Sequence, residues 1–90
     1  MNKIIITVVG HDTVGIIAKV CTYLADNNVN ILDISQTILQ EYFNMMMITD
    51  MTEATKEFGQ ISDELAKLGE EIGVIIKCQR EDIFKGMHRI

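Results

Sequence analysis

The 90-residue chain has no proline, no tryptophan and only two cysteines. With no proline and no Gly/Ser-rich or low-complexity stretch, nothing in it reads as a linker or a disordered tail, so a single domain over residues 1–90 is expected. Cys21 and Cys78 stand isolated, and a reducing cytoplasm is the simpler expectation. Long apolar runs are missing too. The longest, Ile4-Ile5-Ile6 and Met45-Met46-Met47-Ile48, fall far short of the roughly 20 residues that span a bilayer. The N-terminus has no basic segment followed by an apolar stretch and a cleavage site, so no secretory signal is read there. Positive charge is scarce, with 8 basic residues against 13 acidic ones and a formal net charge of −5. That balance repels phosphate backbones and anionic membrane surfaces, which argues against nucleic acid or a membrane as a direct partner.

What is present is enough apolar sequence for one core, in a chain near the size at which association adds needed stability. Residues Lys3 to Val9 are rich in β-branched side chains, with Ile4, Ile6 and Val8 on one face and Ile5, Thr7 and Val9 on the other, which predicts a central strand covered on both sides. Val14 to Ala25 reads as a helix, its apolar stripe formed by Ile17, Val20, Cys21 and Leu24. Asp12 or Thr13 is expected to cap its start, and Asn27-Asn28 to end it, because asparagine tolerates the left-handed conformation.

Val29 to Leu39 is a more polar strand and is expected at a sheet edge. A tight turn at Gln40-Glu41 leads into a strand from Tyr42 to Met51. Its faces, Phe43, Met45, Met47 and Asn44, Met46, Ile48, predict cover on both sides. A second helix is expected from Ala54 to Ile72 on Phe58, Ile61, Leu65, Leu68 and Ile72, with Gly69 a candidate for ending it early. Gly73 opens the last strand, Val74 to Gln79. Ile83, Phe84, Met87 and Ile90 in the segment Glu81 to Ile90 have helical spacing and predict a short C-terminal helix.

The order strand, helix, strand, strand, helix, strand predicts an α+β, ferredoxin-like βαββαβ fold, a four-stranded antiparallel sheet with two helices on one face. The other face would be open yet apolar, which points to a homodimer or higher oligomer, with the terminal segment as the alternative cover.

Chemistry centres on Gly10-His11-Asp12-Thr13-Val14-Gly15, between the first strand and the first helix. The first amides of a helix lack partners within it and its N-terminal end is slightly positive, so an anion suits this place. Gly10 permits a tight bend, and Gly15 lets something approach the backbone.

A metal carrier of this fold would need paired thiolates in the loop, where His11 and Asp12 stand instead. An RNA binder would need exposed aromatics on the open face, for which Phe43 is the only candidate on a central strand. No nucleophile and base stand at a fixed spacing and no Gly-Lys-Ser phosphate loop appears, so no catalytic residue, metal ligand or cofactor is expected. Binding remains. A carboxylate fits the amides near Asp12 to Ile16, while Asp12, the Asn30 amide oxygen or loop carbonyls could accept from an ammonium, so both ends of a zwitterion are met.

The strand running into Gly10-His11-Asp12-Thr13-Val14-Gly15, the helix to Asn27-Asn28 and the following Val29-Asn30-Ile31 resemble an ACT domain. The ending from Gln79 to Ile90 is similar to stand-alone ACT proteins related to the glycine cleavage system repressor type. The resemblance implies a regulatory module without catalysis, dimeric, often with sheets joined edge to edge, which binds an amino acid and signals to a partner protein. It places the ligand between the first loop and the start of the second strand, on His11, Asp12, Thr13, Val14, Gly15, Ile16 and Asn30. Val14 stands where many family loops have proline, which leaves this loop less fixed in advance. The alternative is a structural protein–protein interaction module with no ligand.

Overall fold

The computed structural model describes residues 2–11 and 14–81. Six elements follow in order: β1 (Lys3–His11), α1 (Ile16–Asp26), β2 (Asn30–Leu39), β3 (Tyr42–Asp50), α2 (Phe58–Ile72) and β4 (Val74–Arg80). The strands form one antiparallel sheet in the order β2-β3-β1-β4, the ferredoxin-like arrangement. The expected C-terminal helix falls on residues 82–90, outside the described residues.

One face of the sheet makes the core. Ile4, Ile6 and Val8 of β1, Phe43, Met45 and Met47 of β3, and Val74 and Ile76 of β4 pack against Ile16, Val20 and Leu24 of α1 and Ile61 and Leu65 of α2. Each of these large side chains contributes about 1.5–3 kcal/mol by leaving water. Thr49 is the polar exception on that face, and its hydroxyl donates to the Ile4 carbonyl at 2.9 Å, so burial leaves nothing unsatisfied.

On the other face, among the described residues, Val9 of β1, Met46 of β3 and Ile75 of β4 are exposed, because both helices lie against the opposite face. Ile5, flanked in its row by Ile48 and Gln79, is the buried side chain of this open face among the described residues.

Two helices begin later than their apolar periodicity suggests. Gly15, at φ 88°, stands in the left-handed region just before α1, so Ile16 rather than Val14 is the first helical residue. The buried stripe is then Ile16, Val20 and Leu24, while Ile17 is exposed and Cys21 half-buried. Asn28 does adopt the left-handed conformation at φ 57°, and the buried Asn27 amide donates to the Tyr23 carbonyl at 2.9 Å.

α2 starts at Phe58 rather than Ala54, since the preceding segment is held in turns: Thr52 bonds to Asp50 and the Thr55 amide donates to the Asn27 carbonyl at 3.0 Å. Gly69 does not end the helix. A Cβ there would come within 2.6 Å of the Val74 carbonyl oxygen, so its glycine lets β4 pass against α2, and the helix ends at the left-handed Gly73.

In β2 the pairing with β3 slips between Ile31 and Asp33, leaving Leu32 as the extra residue of a bulge. The strand lies at the sheet edge as expected. Gln40-Glu41 forms the two-residue connection between the paired Leu39 and Tyr42, with Gln40 at φ 57°.

Candidate functional site

The expected loop leaves β1 at His11, an exposed residue paired in register with Tyr42 of β3. Their rings stand 5.1 Å apart between centroids and tilted by 35°, so Tyr42 belongs beside the loop although nothing in its local sequence says so. Asp12 and Thr13 lie outside the described residues. Val14 is fully exposed. Gly15 has nothing within 4 Å of where a Cβ would stand.

Gly15 itself is the residue preceding the helix and makes no side-chain cap bond, while the expected cap by Asp12 or Thr13 falls on residues outside those described. The first intrahelical bond runs from the Lys19 amide to the Gly15 carbonyl at 3.0 Å, so the amides of Ile16, Ile17 and Ala18 precede the helical ladder. Open space at Gly15 and amides without helical partners coincide at the positive end of α1. Ile16 points its side chain into the core and can offer a ligand only its backbone.

Asn30 is not beside this loop within one chain. In register it pairs with Asp50, which pairs with Lys3, at the end of the sheet opposite to His11. Eight residue steps along β1 separate the two ends, about 26 Å. The two parts of the expected site can meet only if two copies of the chain contribute.

A cavity of about 680 Å³ also lies at the Lys3 end, lined by Lys3, Glu57, Gly59, Arg80 and Glu81 among others. The Arg80 guanidinium rests 5.1 Å from the Phe58 ring there, and Lys3 lies 3.9 Å from Glu81. Cations and carboxylates interleave, so the place carries no single charge preference. Among the described residues no group of three or more His, Cys, Asp or Glu side chains could hold a metal. Phe43 is buried on the helix side of the sheet and offers no stacking surface. No helix among the described residues is long and apolar enough to cross a membrane.

The strand order, the helix placement and the glycine-flanked turn at the start of α1 define a ferredoxin-like domain. Residues 2–79 match the ACT domain family, and the chain belongs to it. It is similar to a UPF0237 protein of Bifidobacterium longum, 67% identical over 90 residues and the full length of both chains. Among solved structures it is similar to an ACT domain protein from Streptococcus pneumoniae, with 41% identity, 92% of this chain and 93% of that one covered, and a TM-score of 0.81. A putative glycine cleavage system transcriptional repressor shares the fold at a TM-score of 0.75 and 24% identity, over 88% of this chain and 45% of that one. The ACT domain is a regulatory ligand-binding domain found in amino-acid-regulated proteins.

Proposed function

We propose that this protein is a non-catalytic regulatory module of the cytoplasm. It binds an amino acid at a homodimer interface and passes the occupancy to a partner protein. The observation that carries this reading is the open space at Gly15 in front of the unladdered amides of α1. A ligand carboxylate there accepts from backbone N–H groups at the positive end of the helix, where Gly15 puts no side chain of its own in the way. His11, Asp12, Thr13, Val14, Gly15 and Ile16 supply the loop. The ammonium is met by the Asn30 amide oxygen of a second copy, since a chain's own Asn30 lies at the far end of its sheet.

A thermal-shift screen against the standard amino acids at millimolar concentration tests the reading, with titration calorimetry on any hit. A ligand at about 100 times its dissociation constant should add about 2.7 kcal/mol of stability. Asn30→Ala should leave the unliganded protein as stable as before, because the residue is exposed. It should weaken the hit about tenfold or more through loss of a bond to a charged group. Unchanged affinity in that variant would move the ammonium site elsewhere. If no amino acid stabilises the protein, the ligand reading fails in favour of an interaction module. That second reading has support in the exposed apolar side chains Val9, Leu39, Tyr42 and Ile75, gathered at the loop end of the sheet.

A further inference from the structure

We infer that residues 82–90 form a helix lying across the open face of their own sheet, with Phe84 over Ile5 of β1 and Met87 over Ile48 of β3. This goes beyond the ligand reading above and is independent of it.

Exposure on the open face changes along the strands. At the Lys3 end Ile5 is 5% exposed, and Thr7, Ile48, Asp50 and Gln79 are half-buried. At the loop end Val9 is 48% exposed, and Asn44, Met46, Ile75 and Lys77 are exposed as well. Neighbours within the sheet do not account for the difference. Val9 stands between Asn44 and Ile75 as Ile5 stands between Ile48 and Gln79, on the same central strand. Neither α1 nor α2 accounts for it, since both pack against the opposite face. Ile5 and its neighbours are therefore shielded by something outside the six elements.

The end of the chain is placed to supply that shield. On β4 the open side carries Ile75, Lys77 and Gln79, and the next residue in this alternation is Glu81. Its carboxylate lies 3.9 Å from the Lys3 ammonium, at the shielded end. At Glu81 the backbone also passes from strand to helical conformation. The residues that follow suit a helix on an apolar surface. Ile83, Phe84, Met87 and Ile90 fall within an arc of about 120° on the helical wheel, with Lys85 and Arg89 on the opposite side.

Spacing fixes the course. A helix rises about 1.5 Å per residue and neighbouring strands stand about 4.8 Å apart, so three helical residues cross one strand. Counted from Glu81 on β4, Phe84 reaches β1, Met87 reaches β3 and Ile90 approaches β2. Because β4 is the edge strand, only this direction keeps the segment over the sheet. A course along β4 toward the loop end would instead shield Lys77 and Ile75, which are exposed, and leave Ile48 open.

A double-mutant cycle in urea denaturation of the full chain tests the placement. Ile5→Ala and Phe84→Ala should each lower stability, and together they should cost less than the sum, by about three- to tenfold in the unfolding equilibrium constant. Ile5→Val takes the place of Ile5→Ala if that variant does not fold. Val9→Ala and Phe84→Ala should simply add. Additivity at Ile5, or equal coupling at Val9, would overturn the placement. The cycle repeated at about a hundredfold higher protein concentration identifies whose segment provides the cover. An unchanged coupling is expected for a chain that covers itself, and a coupling that grows with concentration would overturn the proposal in favour of a second copy.

Discussion

Gly59 and Gly69 look alike in the sequence, both inside an amphipathic helix, and the structure gives them opposite roles. Gly59 faces open space, whereas a Cβ at Gly69 would stand 2.6 Å from the Val74 carbonyl oxygen and 3.1 Å from the Ile76 side chain. Backbone cannot yield as a flexible side chain can. Gly69→Ala should therefore destabilise the fold by about 1–3 kcal/mol through overpacking, while Gly59→Ala should stabilise it by up to about 1 kcal/mol through helix propensity. Urea denaturation of the two variants checks both signs, and equal effects would show that β4 does not pass against Gly69. Sequence alone sees the cost of a helical glycine. What the residue makes room for comes from another element.

Between elements, one carboxylate ties α1 to α2. Glu64 accepts from the Tyr23 hydroxyl at 2.6 Å, from the Lys56 ammonium at 2.7 Å and from the Gln60 amide at 3.1 Å. The Lys56 bond first, then the Tyr23 bond, holds the Glu64 carboxyl below its usual range, and the Thr52 hydroxyl and amide do the same for Asp50. A carboxyl depressed in the fold gives stability that is present above its unfolded pKa, about 4, and is lost as pH falls through the folded value.

On the alkaline side burial pushes the Cys78 thiol up to about 11, and burial followed by the Glu64 bond raises Tyr23. Their contribution is present below the unfolded values, about 9 for the thiol and 10 for the phenol, and is lost as pH rises. Melting temperatures across pH should fall at both ends. Glu64→Gln should flatten the acid side, and an unchanged acid slope would remove Glu64 from this role.

The strands were legible because β-branched runs alternate in Lys3 to Val9 and again in Val74 to Gln79. The phase of α1 was not, because one left-handed glycine at position 15 moves its start by two residues. The loop itself was legible as a glycine-flanked turn between strand and helix. Tyr42 beside His11 and the distance to Asn30 were not, since both follow from the register across β3, which no local pattern carries.

For the molecule as a whole, the described residues form a single layer of helices over a four-stranded sheet, and among them no helix covers the other face or the two edges of the sheet. A fold that gains part of its burial from a second copy has a stability set by concentration. Raising the protein concentration about a hundredfold should raise the melting temperature by several degrees, as scanning fluorimetry over that range would show. A melting temperature independent of concentration would indicate a fold complete in one chain.

Lys77 has a further consequence, for solubility. β4 stands at one edge of the four-stranded sheet, with no further strand beside it among the described residues. Such edges are open to further chains, and uninterrupted addition leads to fibres. Here the edge carries Lys77 at its centre, so two such edges meeting antiparallel about their centres bring the two Lys77 charges together. Edge-to-edge growth along β4 is thereby discouraged, and Lys77 is the residue that opposes it.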